Sequence, residues 1–170
     1  MIRERQSLRH GFVKGYFCEI LVKELFFATG YDVVQYGMEH VLPTVVRKMY
    51  TTDYGRIKDT ETGIALRRMP DLVVQDPEEG DIQLIDVKFR ANGQLPLSAI
   101  DQYAPHTVII LVSPISVQAL TVEEYNQGKS MTTKTKHNLS SRGDLFPRFD
   151  PEHVENLESQ VIDYAKKIVA

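Results

Sequence analysis

Residues 69–90 read MPDLVVQDPEEGDIQLIDVKFR, and this stretch predicts a β-hairpin. Its two apolar runs, 71–75 and 82–89, are rich in the β-branched residues that favour strands. The polar segment between them, 76–81, contains the proline, glycine and acidic residues of a turn. We therefore expect two adjacent antiparallel strands joined by this turn.

Charged side chains interrupt the two apolar runs. Asp71 opens the first run, whereas Asp86 and Lys88 lie near the end of the second. Because side chains alternate along a strand, Asp86 and Lys88 share one face. The chain midpoint between Asp71 and Asp86 falls inside the turn, so antiparallel pairing would place the two carboxylates roughly opposite each other.

These charges have two explanations. A partly buried ion pair between Asp86 and Lys88 would compensate both charges, and an aspartate after Pro70 is common turn chemistry at Asp71. Taken together, however, facing carboxylates repel each other unless a cation lies nearby, and carboxylate oxygens with room for water and phosphate suit Mg²⁺. A lysine beside them can hold a phosphate or steer a water, so the set suits metal-assisted phosphodiester hydrolysis.

The segment 7–29 carries a helical pattern that ends at Gly30. The residues that we expect on its buried side are Val13, Tyr16, Phe17, Ile20, Phe27 and Ala28, with Leu21 at the margin. Glu19 lies on a flank of this stripe. Glu24 falls nearer its middle, which is an unusual place for a carboxylate.

The remaining pattern predicts an α/β fold with a central mixed sheet flanked by helices, in a single domain of 170 residues. The further predicted elements are strands at 31–37, 44–50, 64–68 and 106–113, short helices within 91–104 and after the capping box 121–124, a mobile basic loop at 128–144, and a final helix at 151–169.

The order and spacing of these residues resemble those of the PD-(D/E)XK nuclease superfamily, which has the restriction-endonuclease-like fold with an αβββαβ core. The matching motif is Pro70-Asp71 followed by Asp86-Val87-Lys88. The spacing is closest to the archaeal-type Holliday junction resolvases. They share a G-x-x-x-E pattern like that of Gly15 to Glu19, with the glutamate eleven residues before a Gly-aromatic pair like that at Gly30. The resemblance covers about residues 11–113.

This resemblance implies a Mg²⁺- or Mn²⁺-dependent DNA endonuclease acting in repair, recombination or defence. It implies that Asp71, Asp86, the Val87 carbonyl and Glu19 bind the metal, directly or through water. It also implies that Lys88 positions the attacking water and stabilises the developing charge. The spacing favours Glu19 over Glu24 as the glutamate of the site.

An insert at about 39–69, which we expect to form a β-ribbon, is longer than in the small resolvases, which argues against that subfamily but not against the superfamily. Its excess of cations could follow a DNA backbone, or it could be a solvated edge hairpin. The candidate DNA-binding cations there are Arg47, Lys48, Arg56, Lys58, Arg67 and Arg68.

Further candidate contacts follow Lys88. Gln102 could touch the scissile phosphate or face solvent, and Tyr103 reads as a packed tyrosine. The loop at 128–144 could clamp DNA through Lys134 and Lys136, or it could be merely disordered. The heptad spacing of the last helix fits packing on the sheet, with a homodimer seam as the alternative.

Composition excludes several classes of protein. The single cysteine, Cys18, excludes a disulfide framework and a cysteine-based zinc cluster. The charged start MIRERQSLRH does not read as a secretory signal, and no apolar run reaches the length of a membrane span, so we expect a cytoplasmic protein. The sequence contains no Gly-rich phosphate-binding loop, so we do not expect a nucleotide cofactor. The net charge of −3 does not by itself indicate a nucleic-acid binder. The alternative to an active nuclease is therefore a catalytically inactive nuclease-fold module that binds DNA or serves as an assembly subunit.

Overall fold

A computed structural model describes residues 2–41 and 60–169, and it is an α/β structure with an open five-stranded mixed sheet flanked by helices. The helices are α1 (Ile2–Ala28), α2 (Met38–Val41), α3 (Glu61–Arg67), α4 (Val122–Asn126) and α5 (Pro151–Val169). The strands are β1 (Asp32–Gln35), β2 (Leu72–Gln75), β3 (Ile82–Phe89), β4 (Val108–Val112) and β5 (Val117–Thr121). Within the described ranges, no helix has the length and apolarity needed to cross a bilayer.

The sheet follows the chain from one edge to the other, in the order β1-β2-β3-β4-β5. Strands β1, β2 and β3 form an antiparallel meander. Strand β4 then runs parallel to β3, and β5 returns antiparallel to β4. The single parallel pair requires the long connection between residues 89 and 108, because parallel neighbours cannot be joined by a tight turn.

The predicted hairpin is confirmed, together with its register. Leu72 pairs with Ile85 and Gln75 with Ile82. The turn between the strands is fixed by Asp76, which accepts hydrogen bonds from the N–H groups of Glu78 and Glu79 at 2.9 and 3.2 Å. These N–H bonds hold the pKa of Asp76 below its usual value.

Arg148, from the segment before α5, ties this turn to the rest of the molecule. Its guanidinium lies 3.5 Å from Asp76 and 3.1 Å from Glu78. Its backbone N–H also donates a 3.1 Å hydrogen bond to the hydroxyl of Tyr31, next to β1. The turn end of the hairpin is therefore anchored at both β1 and the C-terminal part of the chain.

One face of the sheet, the helix face, packs against α1 and α5. Its strand residues are Val33, Leu72, Val74, Ile85, Val87, Val108, Ile110, Val112, Val117 and Ala119. Four rings join them at one end: Phe26, Tyr31, Phe146 and Phe149 pack edge to face or tilted, with centroids 4.9–6.1 Å apart. This face is the larger part of the core.

The opposite face, the loop face, is covered by α4 and by irregular segments. Its buried cluster comprises Leu95, Ile100, Tyr103, Ile109, Leu111, Leu120, Val122, Tyr125 and Met131. By strand alternation, Asp86 and Lys88 belong to this face, since their neighbours Ile85 and Val87 lie in the helix-face core.

Helix α1 buries the side opposite to the predicted one. Its buried residues are Cys18, Val22, Leu25 and Phe26. The stripe expected inside is largely outside, with Val13 63%, Tyr16 39%, Phe17 36% and Phe27 44% exposed. Ala28 is exposed as well, while Ile20 and Leu21 are half-buried. The prediction was wrong because apolar residues occupy most of the circumference of the helix, and only packing against the sheet and α5 selects one side.

The connection before the hairpin also differs from the prediction. Residues 64–68, expected to be extended, belong mainly to α3, whose first turn is capped by Thr60 accepting a 3.0 Å hydrogen bond from the N–H of Gly63. The strand predicted at 44–50 and most of the inserted ribbon lie in 42–59, outside the described residues.

After β3 the structure is less helical and more extended than predicted. The helix expected within 91–104 is one 3₁₀ turn, Leu97–Ala99. Strand β5 was not predicted. Its five residues follow β4 after a short turn and pair with β4. The capping box at Thr121 and Glu124 is confirmed at the start of α4.

The segment 128–144 is packed, contrary to the expectation of a mobile loop. Met131 and Leu139 are fully buried. Gln118 on β5 binds the carbonyl of Thr132 and the hydroxyl of Thr135 at 2.9 and 2.8 Å. Arg142 is buried between Glu124 and Asp144 and donates to the carbonyl of Ala119, so its charge is structural.

Helix α5 confirms the predicted final helix. Val154, Val161 and Ala165 join the helix-face core, and Leu157 packs against it. Glu158 is also buried, and it accepts hydrogen bonds from the N–H and hydroxyl of Ser140 at 2.9 Å each. Most of the heptad residues therefore pack in the helix-face core, whereas Tyr164 is 45% exposed.

Candidate active site

The hairpin brings the two predicted aspartates together at the end away from its turn. One residue beyond the Leu72–Ile85 pair, the register sets Asp71 opposite Asp86. A 2.7 Å hydrogen bond from the N–H of Val87 to Oδ2 of Asp71 holds this carboxylate against β3. This bond from the backbone to a side chain fixes the Asp71 carboxylate where the strand pairing ends.

Lys88 lies beside Asp86, as the alternation along β3 requires. Its ammonium forms an ion pair with Oδ2 of Asp86, which is only 1% exposed. The same ammonium donates a 3.1 Å hydrogen bond to the hydroxyl of Tyr103. A carboxylate, a cation and a phenol therefore form one connected group on the loop face.

The environment holds this lysine in its charged form. Burial acts to lower the pKa of Lys88, but the Asp86 carboxylate, followed by Tyr103 and Asp71, outweighs burial and raises the pKa above its usual value. Burial and then the charge of Asp86 also raise the pKa of Tyr103, which keeps the phenol protonated. Lys88 is thus an ammonium at neutral pH, suited to charge stabilisation and to hydrogen-bond donation.

Asp71 is destabilised as a carboxylate. Burial raises its pKa well above the usual value, and the charges of Asp86 and then Glu19 raise it further. Lys88 and the N–H of Val87 act in the opposite direction but do not compensate. The charges of Asp86 and Glu19 therefore both act on Asp71 and oppose its ionisation.

The structure separates the two candidate glutamates of α1. Glu19 is half-buried and close enough to affect the pKa of Asp71. Its charge also acts on the adjacent thiol, since burial and then Glu19 raise the pKa of Cys18 to about 12. Glu24 is exposed and lies with α5 residues along a groove between the two helices, away from the aspartates.

The chemistry of these donors fits a divalent cation. Mg²⁺ in proteins is commonly held by one or two carboxylates together with waters and substrate phosphates rather than by a complete protein cage. Among the residues with described positions, no group of three or more His, Cys, Asp or Glu side chains is close enough to hold an ion by itself. The fit rests on the facing aspartates and on the raised pKa of Asp71, which a cation would lower.

Among the described residues, no hydrogen bond or ion pair joins the predicted contacts Gln102, Lys134, Lys136 and Arg68 to the two aspartates or to Lys88. Gln102 is half-buried next to Tyr103, and Lys134 and Lys136 are exposed on the packed segment 128–144. Arg68 is exposed at the end of α3. Arg67 lies in the last turn of α3, and the remaining candidates fall outside the described residues: Arg47, Lys48, Arg56 and Lys58.

Tyr103 contacts Lys88 in the site, and the sequence pattern did not predict this contact. It was expected only to pack, and it does pack, being 8% exposed in the loop-face cluster. Its hydroxyl nevertheless reaches Lys88. Its position in the chain gave one indication of this contact. Tyr103 lies in the long connection between the parallel strands β3 and β4, and this connection helps to cover the loop face.

No family model, no curated protein sequence and no solved structure matches this chain.

Proposed function

We propose that the protein is a metal-dependent DNA endonuclease with the restriction-endonuclease-like fold, acting on duplex or branched DNA. The observation that carries this proposal is that Asp71 and Asp86 face each other across the hairpin. Lys88 forms an ion pair with Asp86, and the charge of Glu19 raises the pKa of Asp71. The antiparallel meander followed by a parallel strand agrees with the resemblance on which the expectation rests.

The residues have distinct roles in this proposal. Asp71, Asp86 and the Val87 carbonyl would hold Mg²⁺ or Mn²⁺, with Glu19 contributing directly or through water. When bound, the ion supplies Lewis-acid stabilisation of the phosphate and favours ionisation of a water. Lys88, kept as an ammonium, donates a hydrogen bond to the attacking water and to the phosphate oxygens on which charge develops.

The hydrolysis breaks a P–O bond and forms another. A water oxygen bonds to phosphorus while the bond to the 3′-oxygen of the neighbouring nucleotide breaks, and the departing oxygen takes up a proton. The products carry a 5′-phosphate and a 3′-hydroxyl, and no redox partner is needed.

The decisive experiment incubates supercoiled plasmid and a synthetic four-way junction with the protein and Mg²⁺ or Mn²⁺. We expect cleavage by the wild type and a loss of about 10²–10⁴-fold in Lys88→Ala, since a positioned proton donor contributes on that order. Lys129→Ala, which removes an ammonium paired with Glu124 outside the site, is the matched control. Inert wild type, or a Lys88→Ala variant that cuts as fast as the control, would contradict the proposal.

A second candidate is a catalytically inactive module that binds DNA or serves in assembly. The ion pair between Lys88 and the almost inaccessible Asp86 favours it, because a pair of this kind can serve structure alone. Titration calorimetry with Mn²⁺ separates the candidates. The inactive module predicts no difference in binding heat between wild type and Asp71→Asn, whereas the nuclease predicts a site that the variant loses.

A further inference from the structure

A cavity of about 520 Å³ opens beside the C-terminal end of β3. Its lining residues are Lys14, Gly15, Val87, Lys88, Phe89, Arg90, Ala91 and Val169. We call this cavity the basic groove. It shares Lys88 with the candidate active site, so it continues that site toward α1 and the end of α5.

The charge of the groove has one sign. Lys14, Lys88 and Arg90 are cationic, and no carboxylate is among the lining residues. Within the ranges 2–41 and 60–169, no ion pair joins Lys14 or Arg90 to an acidic side chain. In a chain of net charge −3, two uncompensated cations beside a buried site are available for an external anion.

The backbone shapes the groove for a close approach. The guanidinium of Arg90 donates a 2.8 Å hydrogen bond to the carbonyl of Phe89, which holds the planar group near the end of the strand. On the facing helix, Gly15 contributes no side chain, and a Cβ added there would meet no atom within 4 Å. An extended anionic chain can therefore pass between Lys14 and Arg90 without a steric barrier at the helix.

We propose that the basic groove binds the DNA backbone at a phosphate next to the scissile one, with Lys14 and Arg90 as the contacting cations. This inference rests on the proposed function and adds the path of the strand. Arg and Lys are the side chains that most often contact phosphates, and such contacts fix the register of a nucleic acid on a protein. Lys14 and Arg90 are therefore binding residues that set which phosphate meets Lys88.

The test measures binding without cleavage. Fluorescence anisotropy of a labelled 20-base-pair duplex, in EDTA and over a series of salt concentrations, compares wild type with Lys14→Ala/Arg90→Ala. The slope of log K against log salt is negative on duplex DNA, and each lost phosphate contact reduces its magnitude by about 0.9, so the slope of the double variant should be smaller in magnitude by about 1.8. The control, Lys23→Ala/Lys166→Ala, removes two cations that do not line the groove and should keep the wild-type slope.

A steric variant keeps the test independent of charge and of folding. Gly15→Leu places a side chain at the groove, while replacing a helix-interior glycine should stabilise α1 by about 0.5–1 kcal/mol. We expect weaker DNA binding together with unchanged or higher thermal stability. Amide chemical shifts of Gly15 and Ala91 should also move on addition of the duplex.

The outcomes separate this inference from the proposed function. Equal salt slopes for the groove variant and its control, with a wild type that still cuts DNA, would overturn the groove alone. A groove-dependent slope in a wild type that never cuts would retain the groove and reject the nuclease. If a mononucleotide displaces the duplex from wild type at the same concentration as an unlabelled 20-mer, the groove takes isolated phosphates rather than a strand, and the inference fails.

Discussion

The two faces of the sheet are built from the same strands with different chemistry. On β3, Ile85 and Val87 enter the helix-face core, whereas the alternating residues Asp86 and Lys88 belong to the loop face. Regular helices cover the first face, and turns, a 3₁₀ helix and the short α4 cover most of the second. The comparison indicates that one face mainly supplies stability and the other can carry buried charge for chemistry.

The helix face should respond to substitution in stability alone. Ile110→Ala removes a fully buried side chain between the sheet and the helices and should lower the free energy of unfolding by about 2–5 kcal/mol. Urea denaturation measures this loss. Ile115→Ala, at a position 58% exposed, is the matched control and should stay within about 0.5 kcal/mol.

DNA cleavage should be unaffected by Ile110→Ala at temperatures where the variant is folded. A loss of cleavage per folded molecule as large as that of Lys88→Ala would show that the helix face also determines the geometry of the site, and the division between the faces would fail.

The fold should gain stability when the charge of Asp71 is removed. The raised pKa of Asp71 means that protonation stabilises the fold, so wild type loses stability as pH rises from the ordinary aspartate range through that raised pKa. Asp71→Asn lacks this loss, and its thermal midpoint should exceed that of wild type at neutral pH. The difference should vanish at low pH and amount to about 2–4 °C per kcal/mol.

Divalent metal should reverse the order of the two thermal midpoints, so that wild type becomes more stable than Asp71→Asn. Binding to the folded state alone adds about 2.7 kcal/mol at a hundredfold excess over Kd, and Asp71→Asn should gain much less. Differential scanning fluorimetry with and without Mg²⁺ provides the measurement, with Asp101→Asn, an exposed aspartate, as control. An equal response of Asp71→Asn and wild type to metal would exclude Asp71 as a ligand.

The sequence determined the hairpin better than the helix beside it. Asp71 and Asp86 could be placed opposite each other because the turn at 76–81 lies midway between them and strand alternation leaves little freedom. The buried side of α1 could not be read, since Val13 and Phe17 are as apolar as Val22 and Phe26, and only tertiary packing distinguishes them.

Context outside the local pattern also decided the other differences. Thr60 caps a helix where residues 64–68 favoured an extended segment. Strand β5 forms because β4 offers it a hydrogen-bonding edge. Tyr103 joined the site through a contact fifteen residues away in sequence, which no local pattern encodes.

The loop face should also distinguish its two buried tyrosines. Tyr103→Phe removes the hydroxyl that accepts from the Lys88 ammonium and should slow cleavage by about 10–100-fold, because a hydrogen bond to a charged group contributes about 1.5–3 kcal/mol. Tyr125→Phe removes a hydroxyl that accepts from the N–H of Met131, on the same face but away from Lys88. Single-turnover rates should fall only in the first variant, and equal rates in both would limit Tyr103 to packing.

The smallest expected effect concerns the outer side of α1. Val13→Ala, at 63% exposure, should change the free energy of unfolding by less than about 0.5 kcal/mol, whereas Leu25→Ala, at 2%, should cost about 2–5 kcal/mol. Chemical denaturation of both variants checks the assignment. A larger loss from Val13→Ala than from Leu25→Ala would restore the side of the helix that the sequence predicted.

The turn held by Asp76 and Arg148 has a consequence for how this hairpin can change in evolution. Side chains alternate with a period of two, so one residue inserted within 82–85 would turn Asp86 and Lys88 toward α1 and bring Ile85 and Val87 to the loop face. Two inserted residues would restore the parity. Length changes confined to 77–80 leave both strands in phase, so related sequences should differ in length there more often than in the strands, where only even numbers of residues preserve the phase.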